Sequence, residues 1–208
     1  MSVSTARRMA ILEPLAVFAL IMAYIWELRY SHQLAWIPIL GLMVVSHLAR
    51  KERAAALGFR SSNFRECLRE FAPALGLIAL TLLGSGILLQ TTRSLDPRQE
   101  AFALGAYLPW GVFQQYVLNG YFLNRFDRVL SQRAAPVAAA AVFAGAHLPN
   151  WFLMAVTLPM GYCAARLYRR QKNLYFLGIA HAIIGFLLFL VVPDSISHHL
   201  RVGPGWWK

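Results

Sequence analysis

Apolar runs separated by clusters of arginine leave a chain few choices of fold, because hydrocarbon offers the backbone nothing to bond to. A segment at bilayer depth must therefore satisfy its own amide groups, which an α-helix does within one run of residues. Seven such runs stand near residues 10–28, 34–48, 71–89, 101–123, 134–148, 151–168 and 174–192. The chain is therefore predicted to be all-α, a polytopic transmembrane helical bundle of about seven helices forming one membrane domain over residues 1–208. A spanning helix needs about 20 apolar residues, so the second and fifth runs are short. Pro149 and Asn150 leave almost no loop after the fifth run, and a tight hairpin and a broken helix are both open there.

The charge has to be read against that pattern. A formal charge of +11 in a soluble chain would point to nucleic acid, but 58% of these residues are hydrophobic and the cations fall between apolar runs. That distribution is topology, not a nucleic-acid surface. With the N-terminus in the cytoplasm, the inside segments carry fifteen of the 20 Lys and Arg, among them Arg7, Arg8, Arg50, Arg65, Arg69, Arg125 and Arg170. The outside segments carry Arg29, Arg93, Arg98, Arg201 and Lys208. Membrane lipid is thus an expected partner, and a bacterial inner membrane the default location. The linker 49–70 reads either as an interfacial amphipathic helix or as a solvated loop. The tail 203–208, GPGWWK, reads as an aromatic interface anchor. No small-x-small cleavage pattern follows the first run, which is expected to be retained. Cys67 and Cys163 lack CxxC spacing and read as free thiols.

Against this apolar background the stretch WGVFQQYVLNGY, residues 110–121, is anomalous. Gln115 and Asn119 are four residues apart on one helical face, with Gln114 on the adjacent flank. Polar groups at such depth face protein or a water-filled cavity. His147 and His181 fall at similar depth, all three levels being about 10–18 Å from the cytoplasmic edge. The expectation is one shared polar site in which imidazoles meet amides, with Tyr116 able to add a hydroxyl. The plainer alternative is a cluster of interhelical hydrogen bonds with buried neutral histidines. No HExxH spacing exists and two imidazoles make too few ligands, so no cofactor is expected and a divalent metal is a minor alternative. His32, His47, His198 and His199 lie near helix edges and read as interfacial. The small-residue run 138–141 suits close helix packing.

In these residues the chain resembles the CPBP family of CAAX proteases and bacteriocin-processing enzymes. Its members carry EExxxR in one helix, FxxxH in the next and a late histidine, often as HxxxN. Here the first pattern aligns with Gln114-Gln115-Tyr116-Val117-Leu118-Asn119 followed by Gly120. The second is intact from Phe143 to His147, with Asn150 three residues on. The third keeps His181 and has Gly185 in place of asparagine. The resembling core is about 101–192. The resemblance implies an intramembrane endopeptidase acting on a membrane-anchored or lipidated peptide. In it Gln114, Gln115, His147 and His181 hold the catalytic positions, and Asn119, Phe143, Asn150, Gly185 and Tyr116 support the site or bind substrate.

The departures are chemical. In the family a glutamate activates the attacking water, and an amide cannot take up that proton. Loss of a positioned base costs about 10²- to 10⁴-fold in rate. The Glu and Arg replaced by Gln115 and Asn119 are lost together, so no buried ion is stranded. Of the nine acids only Glu13 and Glu27 fall in an apolar run, and Glu13 is the one available substitute carboxylate. A helix-end acid reaching water is its simpler account. Two functions follow: an endopeptidase homologue with a modified site, or a catalytically silent homologue binding a membrane peptide, lipidated tail or partner protein. Whether the chain is an enzyme is left open at this stage.

Overall fold

The computed structural model describes residues 3–207, without the side chains of residues 3–9 and 100. Lys208 and the side chains of Arg7 and Arg8, used in the charge reading, thus lie outside the described residues.

All described regular elements are helical. The longer ones are α1 (Val3–Ala23), α2 (Trp36–Ala49), α3 (Phe64–Leu88), α4 (Pro97–Gln115), α5 (Ala134–Gly145), α6 (Trp151–Arg170) and α7 (Leu174–Val191). Each expected run has its helix. The chain is an integral membrane protein: Ala10–Ser31, Phe64–Leu88 and Leu174–Val191 are long and apolar enough to cross a bilayer. As expected, α2 and α5 are short, at 14 and 12 residues.

Two helices depart from α geometry. Tyr24–Leu28 prolongs α1 as a π-helix, and Tyr116–Leu123 prolongs α4 as an eight-residue one before Asn124–Phe126 ends the rod. At its other end α4 begins at Pro97, ahead of the apolar run. Asp96 accepts from the Arg98 and Gln99 amides, and the Gln99 side chain returns to the Asp96 amide. This capping box, with proline at the first helical position, starts the helix where hydropathy alone cannot see it.

The chain divides into two compact units. The first comprises Met1–Arg53, Leu118–Arg166 and Arg201–Lys208. Its core includes Met43, Leu118, Tyr121, Phe122, Leu123 and Phe143. Phe122 meets Phe18 edge-on and stacks on Phe126. The α5–α6 hairpin closes through small residues, with Gly161 against Ala140, as the run 138–141 led one to expect. Between these helices the chain turns, and Asn150, fully buried, accepts from the Leu153 amide at 3.0 Å as the cap of α6. The tail folds as a 3₁₀ turn, Gly203–Trp207, whose Trp207 is exposed and meets Trp26 edge-on.

The second unit comprises Ala54–Val117 and Leu167–Leu200, with α3, α4 and α7 as its helices. The linker 49–70 is not a separate amphipathic helix, and its residues 53–56 are exposed as a loop's would be. Its first part folds as turns, and its last residues already belong to α3. Within this unit Leu57 is buried, Tyr168 donates to its carbonyl at 2.9 Å, and the Leu174 amide donates to Gly58. Gly58 has φ +95°, and a Cβ there would crowd Leu174 and Tyr168 at 3.1 Å. Asn173 caps α7 and donates to Asn63 at 2.8 Å, while Phe64 and Phe71 pack on Phe176. Leu57, Phe59 and Phe64 fold inward because helices of this unit offer them partners, while Leu68 stays exposed.

Candidate active site

Two glycines set the geometry of the second unit. Helices α4 and α7 touch backbone to backbone. A Cβ on Gly111 would lie 2.4 Å from the Gly178 carbonyl oxygen, and one on Gly178 would lie 2.6 Å from the Val112 Cα. Helices come this near only where side chains are absent. Gln115 follows Gly111 by four residues, and His181 lies between Gly178 and Ala182, which both meet Gly111, so the two side chains stand beside the crossing of these antiparallel helices. There the Gln115 Nε2 and His181 Nδ1 lie 3.2 Å apart, with Gln115 buried. With the amide nitrogen donating, Nδ1 is the acceptor and Nε2 carries the imidazole proton.

Near this pair, Gln114 is half-buried, yet its Oε1 is shielded from solvent and has no hydrogen-bond partner among the described residues. Tyr116 is buried with its ring 5.7 Å from that of Phe59. Gly185 faces the Tyr107 ring, which a Cβ would approach to 3.2 Å.

The first unit holds the remaining candidates. Asn119 lies in the π-helical segment and is fully buried. His147 follows α5 in the turn, and its Nδ1 lies 2.8 Å from the Phe143 carbonyl oxygen. A carbonyl only accepts, so Nδ1 carries the proton and the basic lone pair is on Nε2. The Phe143 ring meets the imidazole edge-on at 5.0 Å, so the FxxxH spacing fixes both tautomer and plane. Asn150, beyond its capping bond, donates to the Arg201 carbonyl at 3.0 Å and ties the turn to the C-terminal segment.

The sequence reading did not anticipate a charged cluster in the first unit. Arg125, 1% exposed, donates to Glu13 at 3.2 Å, to Glu52 at 3.0 and 3.1 Å and to Ser46 at 2.9 Å. Its guanidinium lies over the Tyr121 ring. Arg50 and Ser46 also bond to Glu13, and Tyr121 donates to it at 3.1 Å. Glu52 receives Arg128 and sits 2.6 Å from His47 Nδ1. Burial alone would raise the Glu52 carboxyl, but the bonds from Arg125 and His47 and the Arg125 charge outweigh it. They hold it down at about 2. Glu13, the carboxylate that sequence offered as a substitute base, is committed to two guanidiniums, and its company is protein more than water. His47 is buried rather than interfacial. Glu13 beside Pro14 inside an apolar run, with Ser46, Arg50 and Arg125 on the same expected side, was the available signal; counting cations for topology hid it.

Cys67 is buried and Cys163 exposed, both as thiols. Among the described residues no three His, Cys, Asp or Glu side chains gather as a metal-ligand set. The donor set that a tetrahedral site requires is not assembled, and no step is derived through a metal.

No curated protein and no solved structure is a match to this chain. A family model does match, that of "Type II CAAX prenyl endopeptidase Rce1-like", over residues 97–187. The matched stretch opens at the first residue of α4, closes within α7, and contains the glutamine pair and both histidines. Over those residues, somewhat under half of its length, the chain is similar to the Rce1-like CAAX prenyl endopeptidases, consistent with a CPBP-type protein.

Proposed function

We propose that the chain is an intramembrane endopeptidase of the CAAX type whose site carries no carboxylate, with His147 as the base. The observation that carries this reading is the bond from His147 Nδ1 to the Phe143 carbonyl, which leaves a basic Nε2 on an oriented ring. In the reaction, His147 Nε2 takes a proton from water as the oxygen adds to the scissile carbonyl carbon. By the family resemblance the oxyanion position falls to His181, whose proton is on Nε2 beside Gln115. The His147 imidazolium then gives its proton to the leaving amine as the C–N bond breaks. Gln114 offers its carbonyl oxygen to a substrate amide. The substrate class is a membrane-anchored or lipidated peptide, and the location a bacterial inner membrane with the N-terminus in the cytoplasm.

One observation favours a second reading, a catalytically silent homologue that binds such a peptide, tail or partner protein. Gln114, at the position of the family's base, keeps a buried acceptor with no protein donor, which suits binding and not proton transfer. Purified protein in liposomes, offered prenylated and membrane-anchored peptides beside His147→Ala and Gln114→Glu, separates the two. Turnover by the parent that is lost in His147→Ala supports the enzyme. Inactivity of the parent with turnover in Gln114→Glu supports the silent homologue.

A further inference from the structure

Arg65 and Arg69 open α3, are exposed, and form no hydrogen bond or ion pair among the described residues. Their neighbours are committed: Arg170 pairs with Glu70, Arg60 bonds to the Lys172 carbonyl, and Gln171 occupies Glu66 and Glu70. Two cations therefore stand apart from the unit's own acids.

Their place along α3 gives them a direction. At about 100° per residue, Arg65, Arg69, Leu80 and Ile87 fall within about 60° of arc, with Leu77 on the flank. Leu77, Leu80 and Ile87 are 67%, 71% and 68% exposed, which in a spanning helix is the face covered by acyl chains. From Arg69 to Leu88 is about 28 Å of helix, close to the ~30 Å thickness of the hydrocarbon. With Leu88 at one boundary, Arg69 stands at the other and Arg65 one turn farther into the headgroup layer.

We propose that Arg65 and Arg69 bind the phosphate of an anionic phospholipid whose chains lie along Leu77, Leu80 and Ile87. The guanidinium forks suit a phosphodiester, and the exposed apolar residues lie farther along the same face, beginning about two turns from Arg69. The occupant is a lipid and not free phosphate, because the cations alone are solvated and only the stripe adds apolar contact.

The test is native mass spectrometry of the full chain taken from mixed phosphatidylglycerol and phosphatidylcholine. The parent is expected to retain phosphatidylglycerol in preference, and R65Q/R69Q to lose that preference by about thirtyfold, each surface cation contributing about five- to sixfold. R65K/R69K should restore most of it, which separates charge from misfolding. R53Q/R166Q, two exposed cations elsewhere, removes the same charge and should leave retention near the parent's. Equal loss in that control, or undiminished retention in R65Q/R69Q, overturns the site. Complete displacement of the lipid by millimolar inorganic phosphate would overturn the claim that the chains contribute.

Discussion

Gln115 and His181 are joined by a 3.2 Å hydrogen bond beside a contact in which Gly111 and Gly178 leave no room for side chains. A carboxamide in a membrane helix thus has its partner decided by two residues that carry no functional group.

Adding a methyl at that crossing should therefore reach the polar pair. Gly111→Ala and Gly178→Ala are each expected to destabilise the protein by about 1–3 kcal/mol, the range for overpacking. Gly76→Ala, with nothing within 4 Å of the added Cβ, should leave thermal unfolding in detergent unchanged. Equal unfolding midpoints for all three would mean that α4 and α7 do not touch here.

The pair itself should couple modestly. A double-mutant cycle of Gln115→Ala and His181→Ala is expected to give about 0.6 kcal/mol in stability, the average for interhelical hydrogen bonds in membranes. Its signature in catalysis differs. If His181 acts through the tautomer that Gln115 selects, Gln115→Ala lowers kcat with little change in KM, and Gln115→Asn does not rescue it.

Arg125 should be expensive to remove alone. Arg125→Met leaves Glu13 to Arg50 and Glu52 to Arg128 and His47, each short of one buried charged partner, and is expected to cost about 1.5–3 kcal/mol, measured by thermal unfolding. Neutralising the acids as well, in Glu13→Gln/Glu52→Gln/Arg125→Met, should recover much of the loss. A triple variant no better than the single one would show that hydrogen bonds, not charge balance, hold the cluster.

Glu52 gives the cluster a pH dependence of known sign. Its carboxyl is held at about 2 against an ordinary value of 4.5, so its contribution is complete above that ordinary value. It is lost as pH falls from there towards 2. The unfolding midpoint should drop through this interval, and Glu52→Gln should flatten the slope.

Asn150 combines two duties in one side chain. Asn150→Ala removes the cap of α6 and the bond to the Arg201 carbonyl, with an expected loss of about 1–2 kcal/mol. Asn150→Ser, which keeps only a capping oxygen, should fall between parent and alanine in the same unfolding assay.

The seven runs became helices because burial in hydrocarbon leaves a mark on every residue of a run. The FxxxH element was equally legible, since His147 is held by the backbone of its own turn. Gly111 and Gly178 were not, because close approach depends on two distant segments and glycine is common in membrane helices. Arg125, Glu13 and Glu52 were each visible, yet their pairing joins residues more than seventy positions apart. The linker was misjudged because its aromatic residues were weighed against water and lipid, while their true surroundings are Tyr116, Tyr175 and Phe176.

The π-helical run Tyr116–Leu123 bears on how kinship is detected at all. A wider turn fits an additional residue into the same rise, so spacing counted along the sequence drifts from spacing in the helix. Patterns written with fixed gaps lose their phase there: Asn119 sits inside the drift, whereas Gln114 and Gln115 precede it. A comparison of this chain with its distant cousins that permits a one-position gap between Gln115 and Asn124 will align the two sides of the segment more faithfully than one that forbids it.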